Sequence, residues 1–231
     1  MIDRDTDLRS KLPPRSIVEG SGHNVVIGEG VTFDPRVEWR IQGTGNTLII
    51  GDGAALNRAK IYIRGRNLRV TIGRNVRFKQ GAVSVAGTGT EVSFGDDTTW
   101  ESGSIVASGG EPIIIGADCM FSHDIMIRND DSHGIFDAAT RERINAPKPV
   151  IIEDHVWVGN GARVNKGAAL GSGMVLAQAS VLSGKGEPRT IYAGVPARPL
   201  RSNINWSRTP SYDNIPEEYA VSDFMDSLTH P

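Results

Sequence analysis

The sequence of 231 residues has almost no cysteine and few aromatic residues. Cys119 is the only cysteine, which excludes an intramolecular disulfide and a metal site built from several cysteines. Aromatic residues make up 6% of the chain, whereas glycine occurs 27 times. Many turn-forming residues with few bulky side chains predict a thin, repetitive core.

The chain also lacks an excess of either charge and any long hydrophobic run. It has 25 lysines and arginines and 27 aspartates and glutamates, so the net charge is -2. This balance argues against nucleic-acid and membrane-surface partners. No apolar run approaches the roughly 20 residues that span a bilayer. The first five residues are polar and acidic, unlike a secretory signal, so we expect a cytoplasmic protein.

An apolar residue followed by glycine recurs at a regular interval in the N-terminal half. These residues are Ile27, Ile50, Ile72, Phe94 and Ile115, and the spacings between them are 23, 22, 22 and 21. Repeats of this length indicate a solenoid of stacked structural units, because each unit buries its apolar face only against its neighbours.

A shorter period of six lies inside each repeat. Two steps of six residues lead from Ile50 to Tyr62 and from Phe94 to Val106, and we therefore place Tyr62 and Val106 inward. In the third repeat, two steps from Ile72 lead to the polar Ser84. Further along, the period is unbroken and comprises Ile152, Val158, Val164, Leu170, Leu176 and Leu182. A period of six residues matches neither the 3.6-residue period of an α-helix nor the two-residue period of a simple β-strand. It predicts an all-β, three-faced solenoid in which each hexad forms one short strand and one turn.

The pattern divides the chain into three segments. Residues 1–20 form an irregular lead-in, residues 21–201 form the solenoid, and residues 202–231 form a tail. Apolar residues of the tail recur with helical spacing, which predicts a short amphipathic helix over 217–228.

One long interruption separates Ile127 from Ile152, which are 25 residues apart. Residues 128–149 are therefore expected to form an extruded loop, and such loops on rigid scaffolds often carry function. The loop contains one histidine, His133, which can act as a general base at neutral pH. Asp131 lies two residues earlier and could orient the imidazole ring.

The chain resembles the hexapeptide-repeat acyltransferases over residues 20–201. The resemblance rests on the tandem hexads and is strongest in the segments 151–159, Ile-Ile-Glu-Asp-His-Val-Trp-Val-Gly, and 193–198, Ala-Gly-Val-Pro-Ala-Arg. Residues 131–133, Asp-Ser-His, and 143–145, Arg-Ile-Asn, resemble the capsule and polysaccharide O-acetyltransferase branch, with Gly134 where proline is common. The resemblance implies a left-handed parallel β-helix, a homotrimer and acetyl-CoA as donor.

The resemblance also implies roles for individual residues. Arg143, Asn145 and Trp157 would contact the acceptor, with Trp157 pointing outward because it precedes the inward Val158. Contacts to acetyl-CoA would come from Asn160, Gln178, Ser183, Lys185, Arg198 and Arg201. The two arginines would meet the nucleotide phosphates. The lysine is shifted by one position relative to the family motif.

These observations predict direct acetyl transfer from acetyl-CoA to a sugar hydroxyl of a polysaccharide or glycan precursor. Three alternatives remain open: N-acetylation of an amino sugar or nucleotide sugar, a non-catalytic solenoid, and a zinc site like that of a solenoid carbonic anhydrase. The zinc site would use His123, His133 and His155. We expect no metal, because these histidines lack the spacing that a zinc site needs.

Overall fold

The computed structural model describes residues 12–220, which wind into a parallel β-solenoid of about eight coils. Each coil contributes one strand to each of three flat faces, and equivalent strands of successive coils pair in parallel. Face A contains β1 Ile17–Ser21, β4 Glu38–Thr44, β7 Ala59–Arg66, β10 Gly81–Thr88, β13 Gly103–Ala107, β16 Ile125–Arg128, β19 Arg163–Val164 and β22 Val181–Leu182.

Faces B and C complete each coil. Face B contains β2 Asn24–Ile27, β5 Thr47–Ile50, β8 Arg69–Ile72, β11 Glu91–Phe94, β14 Ile113–Ile115, β17 Val150–Ile152, β20 Ala169–Leu170 and β23 Lys185–Gly186. Face C contains β3 Thr32–Phe33, β6 Ala55–Leu56, β9 Arg77–Phe78, β12 Thr99–Trp100, β15 Met120–Phe121, β18 Trp157–Val158, β21 Val175–Leu176, β24 Ile191–Gly194 and β25 Ala197–Arg201. The last strand, β25, runs antiparallel to β24.

The core is the stack of inward side chains along the solenoid axis. All six members of the unbroken hexad series are 4% exposed or less, which confirms their predicted inward positions. Trp100 is fully buried and stacks on Phe78 with ring centroids 5.5 Å apart. The few aromatic residues are thus partly concentrated in the core of the N-terminal coils.

Two inward positions predicted in the N-terminal coils are wrong. Tyr62 and Val106 are only partly buried, and the fully buried neighbours Ile61 and Ile105 point inward instead. The strands of face A are five to eight residues long in these coils, so the face starts one residue earlier than a strict hexad requires. Side chains alternate along a strand, and a shift of one residue therefore exchanges inside for outside.

The same shift removes the exception in the third repeat. Val83 is 1% exposed and takes the inward position that the hexad count gave to Ser84. The longer strands also end in a ladder of glycines, in which Gly43 pairs with Gly65. A Cβ atom at Gly43 would clash with the Gly65 carbonyl, so only glycine permits coils to stack this closely there.

The predicted interruption is confirmed, since residues 129–149 leave the solenoid between β16 and β17. The solenoid begins at Ile17, four residues before the predicted boundary. Beyond β25 the tail contains a 3-10 helix, Tyr212–Asn214. Residues 217–219 form a turn, and the rest of the predicted helix 217–228 lies outside the described residues. No helix among residues 12–220 is long and apolar enough to cross a membrane.

Candidate functional site

The side chain of Asn145 connects four residues of the extruded loop through hydrogen bonds. Its side-chain oxygen accepts hydrogen bonds from the Ile135 backbone N–H at 2.7 Å and from Arg143 Nε at 3.1 Å. Its side-chain nitrogen donates to Asp131 Oδ2 at 2.9 Å and to the His133 carbonyl at 2.7 Å. The amide is buried and its hydrogen-bonding capacity is used within the loop. Asn145 therefore positions the loop.

Lys166 fixes the base of the loop from the next coil. Its ammonium group donates to the Asp131 carboxylate and, at 2.8 Å, to the Asn145 carbonyl. The hydrogen bond from Lys166, assisted by that from Asn145, lowers the pKa of Asp131. Sequence reasoning missed this lysine, but Val164 stacks on Ile127, so the register places Lys166 beside the point where the loop leaves the solenoid.

Arg143 is anchored within the same loop. One of its terminal nitrogens lies 3.0 Å from Asp130 Oδ1, and Ser108 donates to Asp130 Oδ2 at 2.8 Å. Burial raises the pKa of Asp130, but the hydrogen bonds from Ser108 and Arg143 outweigh it and the net pKa is lowered. The Arg143 side chain remains 37% exposed.

His133 is exposed on the loop, and its ring makes no hydrogen bond to any residue between 12 and 220. The expected orientation of the ring by Asp131 is not observed, because that carboxylate is bound to Lys166 and Asn145. The histidine is instead held through its backbone carbonyl. Both ring nitrogens are thus without a hydrogen-bond partner among the described residues.

The contact between Lys166 and Asp131 gives a testable pH dependence. Lys166→Met is expected to return the pKa of Asp131 toward its ordinary value of about 3.9, because the largest cause of the lowering is removed. The contact stabilises the loop above the unfolded-state pKa and is lost as pH falls through the lower folded-state pKa. Carboxyl NMR titration measures the shift. Lys148→Met, in the same loop, serves as control, and an unchanged Asp131 pKa in Lys166→Met would contradict this assignment.

Trp157 points outward as predicted and is 37% exposed. The C-terminal tail passes beside it and places the Trp206 ring 6.0 Å away. Trp206 stacks on His155 at 4.0 Å, and Tyr219 covers the other face of the imidazole at 4.5 Å. This sandwich leaves His155 only 2% exposed. The imidazole is therefore almost inaccessible to solvent.

The ring nitrogens of His155 are both engaged. Nδ1 lies 2.7 Å from Asp118 Oδ2, and Nε2 lies 3.1 Å from the Trp206 carbonyl. Burial raises the pKa of Asp118, but the hydrogen bonds from His155 and Arg208 have a larger and opposite effect. The net pKa of Asp118 is therefore lowered. A metal at His155 would have to break these contacts. Residues 12–220 contain no group of three histidine, cysteine or acidic side chains that could share a metal ion.

Arg208 fastens the tail to face C. Its Nε donates to Asp118 Oδ1 at 2.9 Å, and its terminal nitrogens donate to Thr99 Oγ1 at 2.8 Å and to the Cys119 carbonyl at 3.1 Å. Cys119 itself is fully buried, and burial raises the pKa of its thiol to about 12. A thiolate nucleophile at this position is therefore disfavoured at neutral pH.

Four of the six residues expected to contact acetyl-CoA fall on two corners of the solenoid. Asn160 and Gln178 follow β18 and β21 at the corner between faces C and A, here called the C–A corner. Ser183 follows β22 and Lys185 begins β23, at the corner between faces A and B, here called the A–B corner, from which the loop also emerges. Face A separates the two pairs, so one chain does not bring them to one surface.

The two terminal arginines occupy a third position. Arg198 and Arg201 are exposed on β25, which lies three strands from Trp157 in the order of face C. Neighbouring strands are about 4.8 Å apart, so this separation is roughly 14 Å. Trp157 and the arginines therefore share one face without direct contact.

Comparison with known proteins defines the class. No family model matches the chain. It is 33% identical over 117 residues to a polysialic acid O-acetyltransferase of Escherichia coli O1:K1, and the match covers 51% of this chain and 38% of that relative. It is 44% identical over 66 residues to a polysialic acid O-acetyltransferase of Neisseria meningitidis, which covers 29% and 31% of the two chains. The matches thus span less than half of either curated relative.

Solved structures match over more of the chain. The polySia-specific acetyltransferase NeuO is 32% identical with a TM-score of 0.79, covering 86% of this chain and 92% of that one. The polysialic acid O-acetyltransferase OatWY is 27% identical with a TM-score of 0.82, covering 93% and 97%. The solenoid is accordingly a left-handed parallel β-helix. The chain belongs to the hexapeptide-repeat acyltransferases, in the branch of capsule and polysaccharide O-acetyltransferases.

Proposed function

We propose that the chain transfers an acetyl group from acetyl-CoA to a sugar hydroxyl of a polysaccharide. The observation that carries this proposal is the similarity to NeuO over 92% of that chain at 32% identity. The exposed His133 ring, on a loop braced by Asn145 and Lys166, supplies the chemical group that such a transfer needs.

In the proposed reaction, His133 accepts the proton of the acceptor hydroxyl as its oxygen attacks the thioester carbonyl. A carbon–oxygen bond forms, the tetrahedral oxyanion collapses, and the carbon–sulfur bond breaks. The departing CoA sulfur takes the proton from the imidazolium, so the enzyme returns to its starting state. A positioned general base contributes roughly 10²–10⁴-fold to such a reaction.

The proposed active site needs a second copy of the chain. The loop exposes Ile135, Phe136 and Ile144, which are 55%, 59% and 65% exposed. Apolar side chains clustered on a projecting loop favour burial against a partner. In a homotrimer, the A–B corner of one subunit would face the C–A corner of the next, which would join the two separated sets of donor residues. The Trp157 ring would then line the groove between subunits.

Light scattering at micromolar concentration tests this assembly. We expect a mass three times that of one chain. Ile144→Asp places a charge in the proposed contact and is expected to shift the mass toward one chain, whereas Glu142→Asp, on the same loop, is expected to leave the trimer intact. A fully active wild-type monomer would exclude an intersubunit site.

The arginines of β25 are proposed to bind the donor phosphates. Arg198→Ala is expected to weaken acetyl-CoA binding by about 1.5–3 kcal/mol, because it removes a charge-assisted hydrogen bond. Arg77→Ala removes the same charge from an exposed position of face C and is the control. Isothermal titration calorimetry measures both dissociation constants, and equal effects of the two substitutions would exclude a specific phosphate contact at Arg198.

An activity assay tests the proposed function itself. Purified protein is mixed with acetyl-CoA and polysialic acid, and the released CoA thiol is measured with a thiol-reactive dye. We expect thiol release that depends on the polysaccharide and saturates with it. Release at the same rate without any acceptor would indicate thioester hydrolysis instead of transfer.

A further inference from the structure

Charge is distributed very unevenly along the solenoid. Residues 12–80 contain eleven lysines and arginines and five aspartates and glutamates, a net charge of +6 with histidine neutral. Residues 81–220 contain eleven basic and seventeen acidic residues, a net charge of -6. The near-neutral total therefore hides a positive N-terminal end, and such an asymmetry indicates an anionic partner.

Most of this positive charge lies on one side of the first coils. Face A, the segment that leads into it and the C–A corner carry Arg15, Arg36, Arg40, Arg58, Lys60, Arg64, Arg66 and Lys79. Lys60 and Arg64 alternate with the inward Ile61 and Ile63 along β7, so both point outward. On the next coil, Lys60 and Arg64 lie beside Ala82 and Ala86, so no acidic side chain stands at the equivalent positions of β10.

Five of these cations have no carboxylate partner among residues 12–220. Three of the eight are paired: Arg36 with Asp34 at 2.7 Å, Arg40 with Glu38 at 2.6 Å, and Lys79 with Glu101 at 2.6 Å. The unpaired ones are Arg15, Arg58, Lys60, Arg64 and Arg66. Surface cations without a carboxylate partner create a local positive potential that attracts anions.

A groove runs among these cations toward the proposed active site. Arg15, Arg36, Arg58 and Lys60 line a depression of about 490 Å³, here called the basic groove. A second depression of about 540 Å³ shares Arg36 and Arg58 and continues along the C–A corner to His123.

The next coils extend the same corner. The His123 carbonyl accepts a hydrogen bond from Gly161 N at 2.9 Å, and the adjacent Asn160 carbonyl accepts one from Ala179 N at 2.8 Å. The corner therefore leads in unbroken steps from the basic groove to Asn160 and Gln178, two of the proposed donor contacts.

We propose that the basic groove binds a polyanionic polysaccharide, whose repeated carboxylates contact the unpaired arginines and lysine while the polymer follows the C–A corner toward the donor. This inference rests on the proposed function, which supplies a polysaccharide acceptor. A single-stranded nucleic acid is the less suitable polyanion, because its binding sites stack bases on exposed aromatic rings. Tyr62 is the aromatic ring on this surface, and it is half-buried with the Arg40 guanidinium 6.0 Å from its centroid.

Equilibrium binding without acetyl-CoA tests the groove separately from catalysis. Polysialic acid of defined length and neutral dextran are titrated against full-length protein at 50 mM and 200 mM salt. The double variant Arg58→Gln/Lys60→Gln is expected to bind polysialic acid roughly 5- to 10-fold more weakly, with a smaller salt dependence. Arg69→Gln/Arg77→Gln removes the same charge from faces B and C and is expected to bind like the wild type.

Steady-state kinetics provide the second arm. The groove variant is expected to raise KM for polysialic acid while kcat stays unchanged, because the charges lie away from the reacting atoms. The proposal would be overturned if the two double variants had the same KM and the same dissociation constant for polysialic acid. It would also be overturned if the wild-type protein bound neutral dextran as tightly as polysialic acid. Tighter binding of single-stranded DNA at the same residues would also overturn it. Charge-dependent binding of polysialic acid without any acetyl transfer would reject the proposed function and leave the groove assigned.

Discussion

Replacement of His133 by alanine is expected to lower kcat by roughly 10²-fold or more while acetyl-CoA affinity stays nearly unchanged. The imidazole is the proton acceptor in the proposed reaction, whereas the proposed donor contacts lie on later coils and on β25. The fold is expected to survive, because the loop holds His133 through its backbone carbonyl and the ring makes no hydrogen bond within residues 12–220. Thermal unfolding of the variant should therefore match that of the wild type.

His23→Ala is the matched control for this experiment. His23 lies between β1 and β2, five coils from the loop, and its substitution is expected to leave kcat unchanged. Full kcat in His133→Ala with a polysaccharide acceptor would contradict the general-base assignment. Attention would then turn to His123, which is exposed on the C–A corner, and not to the buried His155.

Leu170→Asp is expected to unfold the C-terminal coils. Leu170 is 1% exposed in β20 and stacks between Ile152 and Gly186 of the adjacent coils. An aspartate there would bury an unpaired carboxylate, at a cost on the order of 4–5 kcal/mol or more. Because each coil is stabilised by its neighbours, the loss should spread along the stack. Hydrogen exchange followed by mass spectrometry would show lost protection in β17 to β24.

The neighbouring substitution Ala169→Asp is the control that separates the effect of burying the new carboxylate from the effect of adding a negative charge. Ala169 lies on the same strand and points outward, so its aspartate remains in contact with water. We expect native hydrogen exchange and little change in the urea midpoint. If both substitutions had the same midpoint, the inward stack would not be the main source of stability in these coils.

The sequence predicted the C-terminal coils better than the N-terminal ones for a physical reason. From Ile152 to Leu182 each face holds a minimal strand, so six residues always complete one step. In the earlier coils, face A is lengthened, and the strand period of two changes which residue points inward. A count of six therefore placed Tyr62 inward, whereas the alternation along β7 places Ile61 there.

The candidate site was predicted in outline but not in its contacts. The interruption of the repeat located the loop, and the amino-acid type of His133 indicated its chemistry. The contact between Lys166 and Asp131 joins residues 35 positions apart and exists only because one coil stacks on the next. The tail contacts of Trp206 and Arg208 follow no period, so no pattern in the sequence indicated that they would bury His155.

The identity of the reaction product tests the central claim most directly. Acetyl-CoA labelled with ¹³C in the acetyl group is incubated with polysialic acid and the protein, and the polymer is analysed by NMR before and after mild alkali. The proposed reaction predicts one acetyl ester per released CoA thiol, complete loss of the label in alkali, and labelling that is slower by roughly 10²-fold or more with His133→Ala. An alkali-stable amide on the polymer, or thiol release that leaves the polymer unlabelled, would contradict O-acetyl transfer.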